Sequence, residues 1–228
     1  MSDAPDDRSS RETAVVRKRR RRMHPAMKIV LVLGVIVVLG FLFMRSLSDS
    51  RSEPYTVNRD HLRGWKVALE PSSNAGVLLA LRASTDVVSD LFRQVFTRAM
   101  ESLTRSADDG IPLVLRSEYE RAFAGRVTPD GLAAAARDAG LETATLEPRC
   151  LGYRRISEPR SIRQVYFVVF EAPAFVRFRE QIAAGSADFE PGAQSPVLFV
   201  AASDNGFGYW LPLLANPTSD CVAPIVIK

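Results

Sequence analysis

Two histidines and two cysteines in 228 residues leave little from which to build a nucleophilic or metal-assisted site. His61 is the only histidine beyond the apolar run at residues 29–44, so any imidazole base, or any Ser-His-Asp or Cys-His arrangement, depends on that single side chain. It lies in a polar stretch, where a solvated linker histidine is the expected role. Cys150 and Cys221 are 71 positions apart, which suits neither a C-x-x-C redox pair nor a zinc site. Two cysteines are what one disulfide requires. In an oxidising compartment such a bridge would stabilise the fold by about 2–4 kcal/mol through restriction of the unfolded chain. Neither a metal nor a cofactor is expected.

Carboxylate chemistry needs only two acids at a suitable separation, and the loops carry Asp108, Asp109, Glu118, Glu120, Asp188, Glu190 and Asp204. Asp108-Asp109-Gly110 and Asp204-Asn205-Gly206 are also what tight turns use for their own backbone geometry, and turn chemistry is the expected role. A cell-envelope hydrolase using carboxylates is therefore a second reading without a defined site. A third concerns Arg149, Arg154, Arg155, Arg160 and Arg163, on or beside one predicted hairpin. Strand alternation can gather several guanidinium groups on one face, where they would hold phosphate, carboxylate or anionic lipid. An ordinary solvated surface is the plainer expectation. Phe207, Tyr209 and Trp210 read as core and sheet face rather than as a ligand platform.

The elements that position these residues begin with a membrane segment. Residues 29–44 (IVLVLGVIVVLGFLFM) contain no charge, and the span extends to 27–46 once Lys28 snorkels to the headgroups. Arg17, Lys18, Arg19, Arg20, Arg21 and Arg22 precede it, whereas Arg45 and Arg51 alone closely follow. The positive-inside rule then places the N-terminus in the cytoplasm and the C-terminal domain outside it. A cleaved signal peptide is disfavoured, because Phe41, Leu42, Phe43, Met44 and Arg45 crowd the end where small residues belong. Residues 1–28 carry nine basic and four acidic residues, and the other 200 carry 21 and 22, so the basic character belongs to the tail. Nucleic acid is not an expected partner of the domain.

The expected organisation is a disordered basic tail (1–26), a transmembrane helix (27–46), a polar linker (47–62) and one extracytoplasmic α+β domain (63–228). Strands are predicted at 65–69 and 76–81. A helix with Ser84 or Thr85 as cap follows, carrying Val87, Val88, Leu91, Phe92, Val95, Phe96, Ala99, Met100 and Leu103 at helical spacing. A strand at 111–115 leads to a capping box of Ser117 and Glu120, and Thr128-Pro129 opens a helix that stops at Gly140. Strands at 150–156 and 162–170 flank a turn, and the second is apolar on both faces, as in the centre of a sheet. Pro173 starts a helix, strands at 197–201 and 207–211 flank an Asn-Gly hairpin turn, and 222–227 closes the fold. The sum is a mainly antiparallel sheet with three to four helices. The order strand, strand, helix, proline-led strand occurs twice, and two such β-α-β units would suit two ferredoxin-like halves or one shared sheet.

Arginine outnumbers lysine 26 to 4 and alanine is abundant, a composition that suits a GC-rich bacterial source. The expected location is the plasma (inner) membrane, single-pass, with the domain periplasmic or extracellular. A domain without catalytic signatures on such an anchor is expected to serve as a binding or accessory module of an envelope complex, with membrane lipid around residues 27–46 and an envelope protein as partners.

Overall fold

The computed structural model describes residues 25–70, 76–99, 101–106, 110–158, 161–204 and 214–228. The chain divides into two units between Met44 and Arg45. The first ends in helix α1 (Pro25–Ser52), whose C-terminal part belongs to the second unit. Its stretch Ile29–Ser46 is long and apolar enough to cross a bilayer, and none of that stretch is buried by the chain itself.

The second unit is α+β. In chain order it contains β1 (Tyr55–Val57), a 3-10 turn (Arg59–Leu62), β2 (Lys66–Leu69), β3 (Val77–Arg82), α2 (Thr85–Ala99), β4 (Thr104–Arg105) and β5 (Gly110–Leu115). Then come α3 (Arg116–Ala122), α4 (Pro129–Asp138), β6 (Glu147–Glu158), β7 (Ser161–Glu171), α5 (Pro173–Ala183), β8 (Val197–Ala202), α6 (Pro217–Asp220) and β9 (Cys221–Ile227). One sheet has the order β1-β9-β6-β7-β8-β4 and a second β2-β3-β5. Every neighbouring pair is antiparallel except β1 with β9.

The period-two apolar pattern of the β6-β7-β8 region explains why β7 lies inside the sheet. Tyr166, Val168 and Phe170 face the main core, together with Leu198 and Val200 of β8, Leu79 and Leu81 of β3, and Leu91 and Val95 of α2. Val165, Phe167 and Val169 face the other way, into a second cluster with Cys150, Val197 and Phe199. A strand with apolar residues on both faces is stable only when both are covered. Trp65 meets Phe170 edge to face at 5.7 Å, and its indole N–H donates to the Leu62 carbonyl at 2.7 Å.

Four expectations need correction. The segment 47–62 is not a polar tether throughout: α1 continues to Ser52, and Tyr55 and Val57 are core residues only 1% and 2% exposed. The pattern was too short to read because β1 has three residues and pairs with the far end of the chain. The domain holds five α-helices among the described residues, α6 being a single turn. The helix-linked strands β3/β5 and β7/β8 are adjacent and antiparallel, so neither half is the parallel crossover of a ferredoxin-like fold. The capping box is displaced: α3 starts at Arg116, and the Glu118 carboxylate accepts from the Leu115 N–H at 2.9 Å, with Ser117 and Glu120 taking no part in the cap. Thr128 does cap α4, its hydroxyl accepting from the Gly131 N–H at 3.1 Å. The predicted 207–211 strand and its Asn205-Gly206 turn lie outside the described residues.

Candidate binding surface

The sequence-derived candidates are mostly engaged inside the fold. Cys150 and Cys221 form the disulfide, their Cα atoms 5.7 Å apart, tying the first residue of β9 to the fourth residue of β6. One position before that bridge, Asp220 forms an ion pair with Arg154, whose Nη2 also donates to the Leu214 carbonyl at 3.1 Å. Bridge and ion pair together fix the 214–220 segment to the sheet.

The arginines do not form one face. Arg154 and Arg155 alternate to opposite sides of β6. Arg163, opposite Ile156, shares the side of Arg154 and lies 3.7 Å from Asp204. Arg149 falls at a register irregularity between Pro148 and Cys150, at the other end of β6, and is exposed. Arg160 lies outside the described residues, as do Asp108, Asp109, Phe207, Tyr209 and Trp210, the membrane-flanking Arg19, Arg20, Arg21 and Arg22, and the side chain of Lys28.

His61 is not a solvated linker residue. Its Nδ1 lies 3.0 Å from the Asp90 carboxylate of α2, and the imidazole is about three-quarters buried. Among the loop carboxylates, Glu118 is 5% exposed and paired with Arg179, which is fully buried. All five guanidinium N–H donors of Arg179 have acceptors. Nε donates to the Pro191 carbonyl (2.8 Å), Nη1 to the Leu113 carbonyl (2.9 Å) and Glu118 (3.4 Å), and Nη2 to Glu118 (2.8 Å) and the Glu190 carbonyl (2.9 Å). Phe189 stacks on the guanidinium at 4.5 Å, and the Gln194 amide donates to Glu118. This is a structural tie between β5, α3, α5 and the 190–194 turn. Sequence reasoning missed it because the partners are 61 residues apart.

Side chains also close the sheet edges. Gln94 of α2 accepts from the Thr56 N–H at 3.0 Å and donates to the Thr56 carbonyl at 2.8 Å, completing the outer edge of β1. Glu142 accepts from the Val67 N–H of β2 at 2.8 Å, and Arg179 takes the Leu113 carbonyl of β5. A partner strand therefore finds these edges occupied, which disfavours β-strand addition there.

Among the described residues a cleft of about 610 Å³ lies open at one end of the large sheet. It is lined by Arg149, Val169, Glu171, Val176, Arg177 and Pro196, among others. The start of β6, the end of β7 and the start of β8 build it. Pro173 opens α5, which presents Val176, 48% exposed, and Arg177 at the rim of the cleft. No family model, curated protein or solved structure matches this chain. The surface must be read from its own chemistry: two exposed guanidinium groups beside apolar and proline walls, with one carboxylate. Smaller clefts lie by Trp65 and Glu142 (about 480 Å³) and by Asp90, Arg93 and Lys228 (about 450 Å³).

Proposed function

We propose that the chain is a non-catalytic, membrane-anchored binding module whose extracytoplasmic domain docks an envelope protein in the cleft between Arg149 and Arg177. The anchor is residues 27–46, with the basic tail in the cytoplasm. Support for the anchor comes from a helix that no part of the chain buries, and the Cys150–Cys221 bridge suits an oxidising compartment.

The observation that carries the docking surface is its place in the fold. β1 enters the sheet parallel to β9, and β6 runs antiparallel to β9, so the start of β6 lies at the end of the sheet opposite the point where the chain arrives from α1. A cleft there lies at the opposite end of the sheet from Pro54, where the chain enters β1. Guanidinium groups flanking Val176 suit a partner segment that offers a carboxylate beside apolar side chains. Of the acids on which the carboxylate-hydrolase reading rests, Glu118 is paired with Arg179 and Asp204 lies 3.7 Å from Arg163, while Glu120, Asp188 and Glu190 are exposed.

The test is mild crosslinking and affinity purification of the full-length protein from its own membranes, in parallel with Arg177→Glu and Val176→Asp. One stoichiometric partner that survives removal of residues 1–22 and is lost in both cleft variants is the expected result. A partner retained by both variants would place docking elsewhere.

A further inference from the structure

We propose that the cleft between the 3-10 turn and the start of β6 binds a short free peptide of apolar residues, its carboxylate on Arg59 and Arg63 and its ammonium on Glu147. The site is separate from the Arg149–Arg177 cleft and does not rest on the docking reading above.

Strand register sets the two ends of this site. Val57 of β1 is level with Ile227 of β9, and β9 pairs with β6 as Pro224 with Cys150. Glu147, three positions before Cys150, therefore falls near Ile227 on the other side of β9. Beyond β1 the chain enters the 3-10 turn, where the Arg59 N–H donates to the Lys228 carbonyl at 2.9 Å. Arg59 and Glu147 thus flank the end of β9, two strand spacings or about 10 Å apart at the backbone. An extended dipeptide or tripeptide spans about 7–11 Å, which matches that gap.

The cleft holds about 480 Å³, within the range of small-ligand sites. Leu62, Trp65, Leu146 and Ile227 give it an apolar floor, with Trp65 and Leu146 each only 3% exposed. Gly64, at φ 72°, makes the turn that leaves Arg63 on the surface and returns Trp65 to the core. The walls are fixed without a ligand, since the Leu62 carbonyl holds the Trp65 indole and the Val67 N–H holds the Glu142 carboxylate.

Charge is left open at both ends of that floor. Glu142 is engaged by Val67 and lies 3.9 Å from Arg137. The other acid of the cleft, Glu147, has no side-chain hydrogen bond or ion pair among the described residues, and neither has Arg59. Arg63 lies 3.5 Å from Asp60, but the two side chains are 71% and 76% exposed, and a pair so solvated contributes little. Guanidinium groups on one side and a carboxylate on the other complement a zwitterion. A carboxylate is the anion that a guanidinium fork grips with two parallel hydrogen bonds, and Glu147 repels a second anion at its own end. Thr145 also lines the cleft and offers its hydroxyl to the peptide amide.

The experiment is calorimetric titration of the full chain in lipid nanodiscs with the dipeptide Leu-Leu, corrected for empty nanodiscs. N-acetyl-Leu-Leu, which lacks the ammonium, and Leu-Leu amide, which lacks the carboxylate, are run beside it. Saturable binding of Leu-Leu, weakened at least about tenfold by blocking either end, is the expected result. Glu147→Gln should abolish the preference for the free ammonium, and Arg59→Gln with Arg63→Gln the preference for the free carboxylate. The blocked peptides make the test on the unaltered chain, whatever the variants do to the fold. No heat with millimolar Leu-Leu would overturn the proposal, and so would equal affinity for the blocked forms. Binding lost in Arg177→Glu but unchanged in Glu147→Gln would overturn it too, by placing the peptide in the other cleft.

Discussion

Removing Glu118 from the buried pair is the sharpest perturbation of the fold. Glu118→Ala leaves the Arg179 guanidinium wholly enclosed, with three backbone carbonyls and the Phe189 ring as its remaining partners. An uncompensated buried charge of this kind costs about 3–5 kcal/mol. Arg179→Met costs a similar amount for the opposite reason: it strands the carboxylate and releases the carbonyls of Leu113, Glu190 and Pro191. In a domain of this size about 1 kcal/mol moves Tm by about 2–4 °C, so each single variant is expected to melt about 6–20 °C lower. Combining Glu118→Ala with Arg179→Met removes both charges and leaves only the carbonyls unpaired. That variant should cost less than the two singles summed, by about 2–3 kcal/mol. Urea titration of the full chain in detergent, followed by circular dichroism, reads all three. Additive losses, or a single variant costing under about 1 kcal/mol, would show that the pair is not the tie described.

Three further outcomes follow from particular contacts. A methyl group added at Gly152 would lie 2.7 Å from Cζ of Phe167, so Gly152→Ala is expected to cost about 1–3 kcal/mol in the same titration. Reducing Cys150–Cys221 should cost about 2–4 kcal/mol, and mass spectrometry after alkylation should find no modified thiol until reductant is added. Gln94→Ala unpairs both backbone groups of Thr56 and should destabilise the domain by about 1–2 kcal/mol, with the largest rise in amide exchange at residue 56.

Elements whose periodicity is local were legible in the sequence. The hairpins β2-β3 and β6-β7, helix α2, the Thr128 cap, the burial of β7 on both faces and the 150–221 bridge all follow from spacing within about fifteen residues or from cysteine count. Contacts that depend on distant partners were not legible. β1 hides in a polar stretch because its partner is the last strand, and Glu118 looks like a loop acid until α5 brings Arg179 beside it. The arginine cluster was visible as composition, but alternation sends Arg154 and Arg155 to opposite sides and a register irregularity strands Arg149 at the other end. His61 gave no signal at all, since its partner Asp90 lies on the exposed side of a helix 29 positions on. The cleft between Arg149 and Arg177 likewise joins segments that only the sheet order brings together.

The central claim is an anchor that puts residues 45–228 on the far side of the membrane from the basic tail. The most direct measurement is a pair of reporters fused after Lys228, one active only in the cytoplasm and one only outside it. Signal from the outside reporter alone, lost when the span is interrupted by two charged residues at Val35 and Ile36, is the result predicted here. Signal from the cytoplasmic reporter would contradict the topology, and with it the reading of the cleft.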